Sequence, residues 1–171
     1  MQIERLTVAQ TQECIAELSA LLEDAVASGA SLGFLPPLAP GESVQYWHDV
    51  IAALSSPFRI LLVARDEGYI VGAVQLDYAA RPNASHRAEV LKLMVDRAAR
   101  GRGIGAALME AAEQDAKRDS RTLLVLDTRS GDPSERLYRR LGYEAAGTIP
   151  AYARSASGAL HTTVIMYKHL I

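Results

Sequence analysis

The sequence predicts a mixed α/β domain, one sheet with helices on both faces, in the order βααβββαβαββ. Three observations carry this. Strand-like apolar runs give way repeatedly to segments with helical spacing. Thr122 to Asp127 is almost wholly apolar, as expected of a strand at the buried centre of a sheet. Val95 to Ala106 reads as a strand end, a glycine-rich turn and a helix start. A chain of 171 residues suits a single domain, residues 1–171, with one core.

Gln2 to Val8 alternates like a first strand, and Thr7 with Gln10 resembles a capping box. A helix then places Ile15, Leu18, Leu22 and Ala25 on one face, and Ser28-Gly29 stops it. Gly29 to Gly41, rich in Gly and Pro, is a loop, and Ser43 to Leu54 fits a second helix. Phe58 to Ala64 and Tyr69 to Tyr78 are strands around a turn at Arg65-Asp66-Glu67-Gly68. After another turn at Arg81 to Ser85 comes a strand, Glu89 to Val95. Gly103 to Lys117 is a helix with Ile104, Ala107, Leu108 and Ala111 on one side. Asp132-Pro133 starts a short helix that ends near Gly142. Tyr143 to Ile149 and Thr163 to Tyr167 are the last strands, joined by a loop holding Ser155, Ser157 and Gly158.

Composition narrows the function classes. The formal net charge is −2 with no basic block, which argues against a nucleic-acid or membrane-surface protein. The single cysteine, Cys14, permits no internal disulfide and sits in an amphipathic run as an inert thiol. No apolar signal-peptide core follows Met1, and no stretch is long enough to span a bilayer, so a cytoplasmic protein is expected. His48, His86, His161 and His169 lack zinc-site spacing, and no metal is expected. No serine nucleophile elbow is present, which disfavours a covalent acyl-enzyme.

The most informative stretch is the turn Asp96 to Ala106. A helix N-terminus leaves N–H groups unpaired and carries partial positive charge, and glycines let a phosphate come close. Arg100 and Arg102 add charge beside it. A nucleoside-triphosphate loop would end in Gly-Lys-Ser or Gly-Lys-Thr, which is absent. A dinucleotide site competes: Gly101-x-Gly103-x-x-Ala106 fits its fingerprint, with Asp127 near the usual spacing. Five residues, Asp96 to Arg100, separate strand from turn, however, and too little chain follows Asp127 for a doubly wound sheet. A glycine-rich turn with no ligand remains the plain alternative.

Arg100-x-x-Gly103-x-Gly105 resembles the [Arg/Gln]-x-x-Gly-x-[Gly/Ala] motif of the GNAT family of N-acetyltransferases. The likeness includes Leu93-Met94-Val95 before the loop and Ala107-Leu108-Met109 after it. It continues in Leu137-Tyr138-Arg139-Arg140-Leu141-Gly142-Tyr143, similar to that family's second motif. Gly29 to Phe34, Arg87 to Val95, Leu126-Asp127-Thr128 and Leu160-His161-x-Thr163 look like the tabtoxin resistance acetyltransferases within it. Gly131 and Ser134 depart from the Asn and Ala that many members carry before the second-motif tyrosine. The resemblance implies a central, mostly antiparallel twisted sheet and acetyl-CoA as cofactor.

It also implies roles for residues. Backbone groups of Leu93, Met94 and Val95 would pair with the pantetheine arm like an added strand, and one N–H would polarise the thioester carbonyl. Arg100, Gly101, Arg102, Gly103, Ile104, Gly105 and Ala106 would hold the pyrophosphate. Glu89, six residues before Val95, is the candidate base, directly or through water; a paired charge at a strand start is the alternative. Tyr138 is the candidate acid for the departing thiolate, against a half-buried tyrosine packing on the sheet. Asp127 is an alternative base, an ammonium binder, or a turn cap. Lys92 is a candidate for a substrate carboxylate or a solvated strand residue. His161 could line an acceptor pocket, against a surface role as the favoured alternative, and Tyr46 and Trp47 are core or pocket wall.

The expected acceptor is a small-molecule amine, an amino acid or amino-acid-like toxin, acetylated directly in a ternary complex. The Gly29 to Pro40 and Ala151 to His161 loops would form its pocket, and neither is acidic enough for a polybasic protein tail. Peptide or protein acetylation, and a non-catalytic acyl-CoA-binding sensor, remain alternatives, with a dinucleotide enzyme a remote fourth. A homodimer through an exposed sheet edge or the last hairpin is left open.

Overall fold

The computed structural model describes residues 1–170. Strand β1 (Gln2–Arg5) is shorter than its alternation predicts. Thr7 ends it by closing the capping box: its side chain accepts from the Gln10 N–H, and Gln10 Oε1 accepts from the Thr7 N–H at 2.9 Å. That cap starts α1 (Val8–Glu13), which Cys14 separates from α2 (Ile15–Ala27). The order is therefore βαααβββαβαββ, one short helix more than the spacing alone indicates.

A loop leads to α3 (Glu42–Leu54). Strands β2 (Arg59–Asp66) and β3 (Tyr69–Tyr78) form a hairpin whose tip is only Glu67 and Gly68, both at positive φ, as a two-residue turn requires. Then come β4 (Arg87–Val95), α4 (Ile104–Arg118), β5 (Leu123–Arg129), α5 (Pro133–Arg140) and the hairpin β6 (Glu144–Arg154) with β7 (Leu160–His169).

The strands make one seven-stranded sheet in the order β1-β2-β3-β4-β5-β7-β6. Among the described residues only β4 and β5 pair in parallel; every other neighbouring pair is antiparallel. β6 is an edge strand with Ile149 and Tyr152 exposed, and Pro150 and an irregular register between Ile149 and Ala153 interrupt its free edge.

Strand alternation divides the core between two faces. Ile60, Leu62, Val74, Leu76, Leu124, Leu126 and Met166 meet α4 through Ile104, Leu108, Met109 and Ala112. Leu61, Val63, Ala73 and Met94 meet α2 and α3 through Leu18, Leu22, Val26, Trp47 and Val50. Gly72 lets α4 lie close: a Cβ there would sit 2.9 Å from Leu108 Cδ1 and 3.1 Å from the Met94 carbonyl oxygen. β5 departs from a strand buried on both faces. Leu124, Leu126 and Thr128 are buried, while Asp127 is exposed, on the α2 and α3 side of the sheet but beyond the part those helices cover.

Candidate active site

The site begins where the sheet opens. β4 and β5 pair at Arg87–Leu123, Ala88–Leu124 and Glu89–Val125, and not beyond. On the other side of β4, the register with β3 slips between Gln75–Leu91 and Ala73–Met94, and Lys92 takes a φ of 53°. One extra residue is thus accommodated as a bulge. From Val90 to Val95, β4 turns an edge without a β5 partner toward a cavity of about 500 Å³. Leu93, Met94 and Val95 line it, as do Asp127, Thr128, Ser134 and Tyr138.

The glycine-rich turn closes one end. Asp96 caps a short 3-10 turn (Arg97–Ala99), its carboxylate accepting from the Ala98 N–H at 2.8 Å. Gly101 and Gly103 then adopt φ of 79° and 80°, with no atom within 4 Å of where a Cβ would stand. The first internal bond of the α4 start runs from the Ala107 N–H to the Gly103 carbonyl. Among the described residues, the N–H groups from Gly101 to Ala106 donate to no backbone acceptor. Such a cluster of free donors at a helix start fits a pyrophosphate. Arg100 lies on the cavity wall, held by the Val95 carbonyl (3.1 Å) and Ser28 Oγ (2.6 Å). Arg102 instead pairs its guanidinium with Asp66 at 2.6 Å, leaving its backbone as its part of the turn.

Asp127 stands on the cavity wall, and the buried Thr163 hydroxyl lies 3.1 Å from its Oδ2. Glu89 is off that wall, in a row across the sheet: Arg59 opposite Asp77, Asp77 opposite Glu89, Glu89 opposite Val125. Glu89 keeps an exposed side, yet partial burial, then Asp127 and Asp77, push its carboxyl above the ordinary glutamate value; Arg87 and Arg59 oppose this. Tyr138 is buried, and burial, then Asp127, push its phenol up, so it keeps its proton. Its hydroxyl makes no hydrogen bond among the described residues, and its ring rests on Tyr143 with centroids 5.8 Å apart. Ser134, where many family members carry Ala, hydrogen-bonds Thr128 Oγ1 at 2.8 Å.

Lys92 points toward the first three helices. Its Nζ donates to the Leu32 carbonyl and lies 5.4 Å from the Phe34 ring centroid and 6.0 Å from that of Tyr46. Burial lowers its pKa; Asp127 opposes this and Arg59 adds to it. A second cavity of about 480 Å³, lined by Phe34, Leu35, Arg129 and Ala153 to Ser157, shares the Gly29 to Gly33 loop with the first. Trp47 is core, fully buried. His161 pairs with Ala153 across the last hairpin, and its Nε2 is buried without a partner among the described residues. Arg59, Gln75 and Asp77 lie outside the motifs legible in the sequence. One signal was available: Gln75 is a lone polar residue inside the apolar run from Ile70 to Leu76.

The fold and this site define an acyl-CoA-dependent acyltransferase, and comparison with known proteins agrees. The profile of the Acetyltransferase (GNAT) family matches residues 21–143, and the chain belongs to that family. It is 33% identical over 129 residues, 74% of each chain, to an uncharacterized N-acetyltransferase in the hisH-hisA intergenic region of Azospirillum brasilense. Its fold is similar to that of a ribosomal-protein-alanine N-acetyltransferase from Brucella melitensis, with a TM-score of 0.81 and 24% identity over 99% of this chain and 100% of that one. It is also similar to yncA of Salmonella typhimurium, solved with its cofactor acetyl-CoA, with a TM-score of 0.79 and 18% identity over 100% of this chain and 94% of that one. As a member of that family it is an acetyl-CoA-dependent N-acetyltransferase.

Proposed function

We propose that the acceptor is the primary amine of a small, amino-acid-like molecule, acetylated by direct attack in a ternary complex. The observation that carries this is the pairing of charges at the open end of the sheet. Asp127 and Lys92 line one cavity of about 500 Å³, with Glu89 and Asp77 beside it. Carboxylates suit an ammonium, and the lysine suits a carboxylate on the same molecule. The likeness of the Gly29 to Phe34 loop and of Leu160-His161-x-Thr163 to tabtoxin resistance acetyltransferases supports an amino-acid-like toxin as one such acceptor, met in the cytoplasm.

Acetyl-CoA supplies an activated acyl carbonyl when bound. The free N–H groups of Gly101 to Ala106, with Arg100, hold its pyrophosphate, and the β4 edge at Leu93 to Val95 holds its pantetheine arm. One N–H of that edge would polarise the carbonyl. Glu89 takes the proton of the acceptor ammonium, directly or through a water, and its raised pKa suits that task. Asp127 orients the ammonium and keeps Glu89 a better base. Tyr138 retains its proton and would be the donor to the thiolate of coenzyme A.

Mass spectrometry of mixtures containing the protein, acetyl-CoA and either free amino acids or peptides tests this reading. Acetyl groups on the α-amines of free amino acids support it. Acetylation confined to peptides overturns it.

A further inference from the structure

Gln75 is 1% exposed, a polar side chain in the middle of β3 facing α3. Both ends of its amide are used. Arg59 Nη1 donates to Gln75 Oε1 at 3.0 Å, and Gln75 Nε2 donates to the Tyr46 hydroxyl at 2.7 Å. The orientation of the amide is forced. A guanidinium has donors only, so it must meet the amide oxygen, and the NH₂ group must meet Tyr46. Arg59 is itself held by Asp77, its Nη2 lying 3.5 Å from Asp77 Oδ2. The Tyr46 oxygen therefore accepts from Gln75, and its single proton points elsewhere. Among the described residues that proton is given to no acceptor.

Tyr46 lines neither cavity, but the neighbours of its ring do. The ring packs edge-on against Phe34, with centroids 5.3 Å apart, and Phe34 lines the second cavity. Lys92, 6.0 Å from the Tyr46 centroid, lines the first. Tyr46 is only partly buried, between these two residues. The Lys92 ammonium and the Tyr46 ring are thus neighbours beside the first cavity.

We infer that Tyr46 is a specificity-determining hydrogen-bond donor for an oxygen atom that the acceptor carries beside its amine, and that Gln75 is the positioning residue that aims its hydroxyl. The inference rests on the reading of the site as one for a small amine. It deepens that reading by requiring an oxygen acceptor, such as a carboxylate, close to the reacting nitrogen. An amine of the same shape without that oxygen leaves the Tyr46 proton unpaired and is discriminated against.

The test is calorimetric binding, beside steady-state kinetics, of L-α-amino acids and their decarboxylated amines to wild type, Tyr46→Phe, Gln75→Glu and the double variant. Tyr46→Phe keeps the ring contacts and removes the donor. It is expected to weaken amino-acid binding about ten-fold, the worth of one hydrogen bond to a charged oxygen, while amine binding, kcat and acetyl-CoA affinity stay unchanged. Gln75→Glu replaces the amide with a group that only accepts, which turns the Tyr46 proton inward. It is expected to reproduce the same loss, with no further loss in the double variant. Equal effects on both acceptor classes, or no effect of Tyr46→Phe, would overturn the inference, as would failure of every amino acid to bind wild type. Absence of turnover despite selective binding would instead count against the functional reading alone.

Discussion

Glu89 stands opposite Val125 at the last rung of the parallel pair, and one residue further on β4 and β5 have parted. The candidate base is thereby fixed by sheet pairing at the apex of the opening. The same pairing places Asp77 on its other side, while Asp127 lies two residues past Val125 on the same face of β5. A base so placed has a pH signature. Its carboxyl is held above the ordinary value by partial burial and by Asp127 and Asp77, against Arg87 and Arg59. Activity requires the carboxylate, so kcat/KM for the amine should rise with pH through a limb above the ordinary glutamate range. Asp77→Asn should move that limb to lower pH, and a limb that does not move would contradict the assignment.

The same shift has a consequence for stability. A carboxyl whose folded pKa is raised favours the fold when protonated, so its contribution is complete below the unfolded value and lost as pH rises through the folded value. Glu89→Gln should therefore melt at or slightly above wild type at neutral pH while losing activity. Thermal unfolding at two pH values measures this.

Tyr138→Phe removes a hydroxyl that has no hydrogen-bond partner among the described residues and keeps the ring against Tyr143. The fold should be unaffected. With the acid gone, kcat should fall about 10²-fold while coenzyme A affinity is kept, as single-turnover kinetics and calorimetry would show.

Gly103→Ala tests the phosphate turn. Its φ of 80° is strained for any L-residue, by about 1 kcal/mol, although the space around it is open. Coenzyme A affinity should drop about ten-fold with only a small loss of stability, an expectation set by one displaced N–H donor. Affinity equal to wild type would mean that the turn does not hold the phosphates.

Gly72→Ala tests the packing that seats α4. The new methyl would meet Leu108, Ile104 and the Met94 carbonyl, so about 1–3 kcal/mol should be lost in urea unfolding.

Much of this was legible in the sequence because its signals are local. Gly101, Gly103 and Gly105 mark a turn into a helix wherever they fold, and Tyr69 to Tyr78 is bounded as its residues predict. The short helix α1 was lost because a strand-like alternation runs up to Val8, although its cap, Thr7 with Gln10, was in plain view. The chain from Tyr46 through Gln75 and Arg59 to Asp77 was out of reach for a different reason. It joins α3, β3 and β2, and only strand register brings those side chains together. Asp66 was hidden in the same way: the charge of Arg102 beside the glycines is legible, whereas its ion pair depends on the β2–β3 hairpin that brings Asp66 to it.

Thiol release from acetyl-CoA, followed across a panel of free amino acids with wild type and Glu89→Gln side by side, tests the central claim most directly. The account predicts turnover on free amino acids that falls about 10²-fold or more in Glu89→Gln, with coenzyme A affinity unchanged. Turnover that survives in Glu89→Gln, or that occurs on peptides and on no free amine, would contradict it.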